Sequence, residues 1–303
     1  MKVLLPHPEG INLLGDLPDG VDLYFWDGEG DPPESATETE FWVPPFLATD
    51  SLVHVMDRMR SLAVVQLLSA GADAWAGRVL SDVTLCDARG VHDSSTSEWA
   101  ATAILAALRE FPRFAVAQAA GRWETRGTDE LAGKTVVVVG SGSIGAALCR
   151  RLEPFGVDLV RVARRGRDGV HPVEELPALL AGADVVVLLV PLTEATRGMV
   201  DAAFLARMHD GALLVNAARG PVVDTDALVA ELAVGRLSAA LDVTDPEPLP
   251  PGHPLWTVPG LLLTPHVAGS VRGLLPRAYA LVTRQVWRYA EGEPLDNVVA
   301  DGY

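Results

Sequence analysis

Five residues, Thr135–Val139, all apolar but the first, run straight into Gly140-Ser141-Gly142-Ser143-Ile144-Gly145, and a helical pattern rich in Ala and Leu follows. Few architectures accept that order other than a parallel α/β sheet. A short run this apolar suits a strand covered on both faces. A strand that turns at once into a helix needs Gly140 for the tight turn. Gly142 lets a pyrophosphate approach the backbone, and Gly145 lets helix and strand pack closely. The helix start presents unpaired N–H groups, which favour phosphate. Gly140, Ser141, Gly142, Ser143, Ile144 and Gly145 are therefore candidate contacts of a dinucleotide. A strand–helix turn without ligand is the competing account.

The surrounding pattern agrees with an α/β chain. Apolar runs at 3–5, 21–26, 39–43, 62–67 and 83–86 predict strands, and 50–59 predicts a helix capped by Asp50 or Ser51. Asp27–Ala36 is acidic and rich in Pro and Gly, which predicts an exposed loop. A long helical pattern spans about Ser97 to Gln118, with Pro112 as a point of kink or break and Trp99, Ala103, Ala106 and Ala107 on its small apolar face. Beyond the glycine segment, strands are predicted at 159–162, 185–190, 213–216, 239–243 and 261–264, then a helix at 276–290 and a polar tail from Glu291. The 303 residues suffice for two cores. The predicted division is 1–96 plus 272–303 as one domain and 97–271 as the other.

Composition narrows the partners. The net charge of −16 argues against nucleic acid, and most of it (−11) falls in residues 1–96. No apolar run approaches the ~20 residues that a membrane helix needs. The first residues lack the order of an export signal. With Cys86 and Cys149 its two cysteines, both predicted as buried thiols, the chain suits a reducing cytoplasm. No group of side chains has metal-ligand spacing, so no metal is predicted. An anionic substrate must then be held by local cations and backbone N–H groups against the overall field.

Which dinucleotide is decided at the end of the strand after the glycine helix. An acid there would bond the ribose 2′-hydroxyl. Asp158 stands at the wrong end of that strand, and the right end reads Ala163-Arg164-Arg165. Without a carboxylate, a 2′-phosphate can enter, and guanidinium groups can grip it. NADP(H) is therefore preferred, with NAD(H) possible. Pro191 and Ala217, just past two later strands, join the cofactor contacts.

Three polar residues follow three successive predicted strands: Arg219 in Asn216-Ala-Ala-Arg219-Gly220, Glu247 in Asp245-Pro-Glu247-Pro248, and His266 in Thr264-Pro265-His266. Ligands of open α/β sheets bind beyond the carboxyl ends of strands. Together with Gly140–Gly145, Pro221-Val-Val-Asp224, Ala240-Leu-Asp242-Val and His253-Pro-Leu-Trp256, these segments resemble the D-isomer-specific 2-hydroxyacid dehydrogenase family. The likeness runs from about residue 60 to the end; before that only the layout matches. It implies two Rossmann-like, doubly wound parallel-sheet domains with a cleft between them, the substrate domain built from both chain ends, and a homodimer. The missing acid at Ala163 resembles the NADP-using glyoxylate and hydroxypyruvate reductases.

Elementary chemistry then gives the roles. A nicotinamide passes a hydride to C2 of a small 2-oxo acid, and His266 as imidazolium donates the proton, its reference pKa of ~6.5 suiting acid–base work. Glu247 accepts from the other ring nitrogen and favours the charged form. Arg219 holds the carboxylate and polarises the carbonyl. By resemblance, Ser69, Ala70, Gly71 and Ala72 form the backbone loop that binds the carboxylate, and Asp242 orients the nicotinamide carboxamide. Rival readings are a cofactor-sensing corepressor without turnover, and a dehydrogenase of another small anion such as phosphite or 3-phosphoglycerate.

Overall fold

A computed structural model of the chain describes residues 1–48 and 50–299. The chain divides after His92 and after Ser270, so that the first compact unit takes residues from both ends and the second is continuous.

The second unit holds a seven-stranded parallel sheet. Its strands are β6 (Thr135–Val139), β7 (Asp158–Ala163), β8 (His171–Pro172), β9 (Val185–Leu188), β10 (Leu213–Asn216), β11 (Ser238–Leu241) and β12 (Leu261–Leu263), in the order β12-β11-β10-β9-β6-β7-β8. Alternate residues of one strand feed opposite cores: Val137, Val139, Val186, Leu188 and Leu214 on one face, Val136, Val138, Val185, Val187 and Leu213 on the other. This two-sided burial is why the strands read as unbroken apolar runs. Helices α3 (Ser143–Leu152), α4 (Leu176–Leu179), α5 (Ala202–Leu205) and α6 (Thr225–Ala233) lie between the strands. The chain winds outward from β6 to β8 and then returns to pair β9 with the other side of β6. That reversal is the switch point at which such sheets bind ligands.

The long helix expected at 97–118 is two helices, α1 (Asp93–Leu108) and α2 (Phe111–Ala119). Pro112 supplies the reason. Within a continuous helix its ring would meet the carbonyl of Leu108, where α1 ends. Glu110 makes the joint with a φ of 51°, and Pro112 sits in the first turn of α2, where its missing N–H leaves nothing unpaired. The buried face of α1 centres on Ala100, Ala103 and Ile104, and Trp99 and Ala107 of the expected face pack against the same core. Two-residue β8 was not legible in the sequence.

The first unit holds a five-stranded parallel sheet, order β2-β1-β3-β4-β5: β1 (Lys2–Leu5), β2 (Asp22–Phe25), β3 (Phe41–Trp42), β4 (Val64–Gln66) and β5 (Thr84–Cys86). Val3, Leu5, Phe41 and Val64 enter one core; Leu4, Trp42, Val65 and Leu85 enter the other. The C-terminal helix α7 (Leu274–Glu291) closes the first of these with Ala278, Tyr279, Leu281, Val282 and Val286. Each large apolar side chain buried this way contributes about 1.5–3 kcal/mol. Residues 50–58, expected as an α-helix, wind as a tighter 3-10 helix and still bury Val55 and Met56. The capping side chain of Asp50 and the end of the polar tail, 300–303, lie outside the described residues. The described part of that tail is not a free end. Val298 bridges Cys86 antiparallel, and Asn297 and Val299 bond Asp87 and Leu85, so the tail lengthens the β5 edge. A buried amide pair, Gln285 donating to Gln66 and to the Asp296 carbonyl at 2.9 and 2.8 Å, fixes it there. Among the described residues no helix is long and apolar enough to cross a membrane.

Candidate active site

The glycine segment leaves β6 as its spacing requires. Gly140 takes a φ of 111°, and a Cβ there would stand 2.4 Å from the Leu189 carbonyl. At Gly145 a Cβ would stand 2.2 Å from the Gly140 carbonyl, whereas beside Gly142 nothing lies within 4 Å. Ser141, in the middle of the loop, has a buried hydroxyl with no hydrogen-bond partner. Ser143 and Ile144 begin α3.

Asp158 begins β7 and Ala163 ends it, with Arg164 and Arg165 exposed beyond. Arg167, the last arginine of this basic cluster, reaches back and donates to the Ser141 carbonyl at 2.7 Å. The loop and the glycine turn are therefore joined. Pro191 lies past the end of β9, its carbonyl accepting from Thr196 at 2.6 Å. Ala217 follows β10 and donates to the Leu188 carbonyl at 3.3 Å. Both stand at carboxyl ends beside the switch point.

Arg219, Glu247 and His266 come together at the same end of the sheet, after β10, β11 and β12. Asn216 shapes the first turn: its side chain accepts from Ala218 N–H at 3.0 Å and donates to the Arg219 carbonyl at 3.1 Å. Gly220 lets this turn lie against the Thr244 backbone, since a Cβ would come within 1.8 Å of the Thr244 carbonyl. His266 Nδ1 and Glu247 Oε1 are 2.5 Å apart. Burial raises the Glu247 carboxyl, but the bond from His266 and the positive charges of His266 and Arg219 outweigh it, and the group is held below the usual carboxylate range. Glu247, His266, Leu249, Trp256, Leu263 and Thr264 line a cavity of about 390 Å³. Trp256 and Leu249, unassigned from the sequence, give it an apolar wall.

The His266 loop is tied from beneath. His266 adopts a φ of 54°, a conformation a residue with a side chain keeps only when its surroundings impose it. Asp242, 2 % exposed, imposes much of it. Its carboxylate accepts from Thr264 Oγ1 at 2.6 Å, Val267 N–H at 2.9 Å and Ala268 N–H at 2.8 Å, and its carbonyl accepts from His266 N–H at 2.7 Å.

In the first unit, Ser69–Ala72 follows β4 as a turn. The Ser69 hydroxyl donates to the Gly71 carbonyl at 2.8 Å, and the Ser69 carbonyl accepts from Ala88 N–H. His92, given no role from sequence, is buried with Nε2 2.8 Å from the Leu68 carbonyl and its ring stacked on Phe46. Its partners lie 24 and 46 positions away, beyond the reach of any local pattern.

Comparison with known proteins follows the same lines. Residues 101–268 match the family described as D-isomer specific 2-hydroxyacid dehydrogenase, NAD binding domain. The glyoxylate reductase of Thermofilum pendens is 34% identical over 82% of this chain and 78% of its own length. The human glyoxylate reductase/hydroxypyruvate reductase is 31% identical over 78% and 76%. A D-isomer specific 2-hydroxyacid dehydrogenase from Xanthobacter autotrophicus, solved with NADPH and MES, superposes with a TM-score of 0.85 at 32% identity over 100% of this chain and 99% of its own. An NADPH-dependent glyoxylate/hydroxypyruvate reductase from Sinorhizobium meliloti, solved with NADP and sulfate, gives 0.85 at 28% identity over 100% and 99%.

Proposed function

The chain belongs to the D-isomer-specific 2-hydroxyacid dehydrogenases, and on that premise we propose that it reduces a small 2-oxo acid of the glyoxylate or hydroxypyruvate kind to the D-2-hydroxy acid, with NADP(H) preferred over NAD(H). The observation that carries this reading is the 2.5 Å contact of His266 with Glu247, with Arg219 acting on the same carboxylate.

The residues present fit a dinucleotide phosphate. Ser141 keeps an unused buried hydroxyl in the glycine loop, the space beside Gly142 is open, and no carboxylate stands at Ala163 to repel a 2′-phosphate near Arg164 and Arg165. Bound there, the nicotinamide supplies the hydride for C2. The chain's own groups do the rest. Arg219 holds the substrate carboxylate and polarises the carbonyl, charge-assisted bonds being the strong ones. His266 gives the Nε2 proton to the carbonyl oxygen while Nδ1 stays paired to Glu247, which fixes the ring. Asp242 keeps acceptor capacity for the carboxamide, and in the first unit the N–H groups of Ser69–Ala72 are proposed carboxylate donors. The same reading includes a homodimer in a reducing cytoplasm. Phe111, Val116 and the 98 % exposed Trp123 offer the apolar surface that a second copy would cover, and both cysteines are free.

The test is oxidation of NADPH and NADH by the purified protein with glyoxylate, hydroxypyruvate and larger 2-oxo acids. Turnover with NADPH is expected. NADPH binding without turnover of any of them would favour a sensing protein or another small anion. His266→Ala should cut kcat on the order of a hundredfold or more while NADPH still binds; unchanged turnover would remove the proton-donor role.

A further inference from the structure

Trp99 lies on α1, far in sequence from every residue assigned above, and its indole is the first member of a chain of hydrogen bonds that ends on the loop of His266. Trp99 Nε1 donates to Thr264 Oγ1 at 3.0 Å. Thr264 Oγ1 can donate only one proton, and it gives it to Asp242 Oδ1 at 2.6 Å. The indole N–H, which can only donate, thus fixes which way the hydroxyl points. Asp242 holds the backbone of Val267 and Ala268, the two residues after His266, and His266 N–H itself. All of these groups belong to the same compact unit. Asp242 is buried and Trp99 partly so, hence little water is at hand to replace a lost donor.

We propose that Trp99 is a positioning residue for the reaction: through Thr264 and Asp242 it holds His266 in its left-handed backbone conformation, with Nδ1 on Glu247. The inference rests on His266 being the proton donor. Buried polar chains of this kind are strong only when every member is satisfied. Removing the indole N–H leaves the Thr264 hydroxyl free to turn, which weakens its bond to Asp242 and loosens the His266 loop. The proton donor is then misplaced, while Arg219 and the glycine turn, which have no part in this chain, stay where they were.

Three variants test this on the full chain. Trp99→Phe keeps an aromatic ring and removes the donor; Thr264→Val removes the relay; Thr264→Ser retains its hydroxyl. Trp99→Phe should lower kcat about two- to tenfold, the fold-change that goes with one neutral hydrogen bond, with KM for the 2-oxo acid unchanged. Thr264→Ser should restore most of what Thr264→Val loses. The double variant Trp99→Phe/Thr264→Val should be no slower than Thr264→Val alone, because both break the same chain. Equal losses of kcat and thermal stability that add in the double variant would reduce Trp99 to a packing residue and overturn the proposal. So would an unchanged kcat in Trp99→Phe. His266→Ala, measured alongside, separates the two readings: if it alone leaves turnover intact, the proton-donor assignment fails; if it abolishes turnover while Trp99→Phe does nothing, the relay fails.

Discussion

Ala163 stands where a carboxylate would fix the preference for NAD, and two guanidinium groups follow it. Arginine suits a phosphate because its planar fork bonds two oxygens at once. Arg164→Ala should therefore raise the dissociation constant for NADPH by at least about tenfold and that for NADH by far less, as read by titration of cofactor fluorescence. Equal losses would show that the basic loop acts through its shape and not through its charge. Arg219, Glu247 and His266 were legible at this scale because each lies just past an apolar run that reads as a strand. The contacts of Trp99, His92 and Arg167 were not. Their partners, a threonine hydroxyl and two backbone carbonyls, stand 165, 24 and 26 positions away, and a hydrogen bond at such a distance leaves no mark on composition.

Among the elements, the strands of both units, two-residue β8 excepted, were legible as unbroken apolar runs because both of their faces are buried. Their ends read long: the run at 39–43 yields only Phe41–Trp42 as β3, and that at 185–190 only Val185–Leu188 as β9. The glycine turn between β6 and α3 divides its labour between fold and ligand, which two substitutions can separate. Gly145→Ala would drive a methyl group into the Gly140 carbonyl and should lower Tm by several degrees, in the range of overpacking that costs about 1–3 kcal/mol. Gly142→Ala meets nothing in the folded chain, so Tm should hold while cofactor affinity falls. A melting curve and a binding titration on each variant decide it; loss of Tm in Gly142→Ala would mean that this position serves the fold instead. The break between α1 and α2 shows the limit of periodicity. The apolar spacing continues across it, and the steric demand of Pro112 falls on Leu108, four residues earlier.

For the whole molecule, the alternation of strand and helix made two parallel sheets legible. It did not tell how the tail is used, because the pairing of residues 297–299 with β5 joins segments some two hundred positions apart. The core that α7 closes has a consequence for the order of events on the ribosome. Residues 1–92 emerge first but lack Tyr279, Leu281, Val282 and Val286, which seal one side of their sheet. At about 5–20 residues per second, translation of 93–270 takes roughly ten to forty seconds. Throughout that interval the nascent N-terminal segment is unfinished, and at its end the continuous unit has its complete sequence while the first still waits for α7. Nascent chains arrested with residue 270 outside the exit tunnel should accordingly resist protease within 93–270 and be cut within 1–92, because the earlier segment waits for a helix made after both.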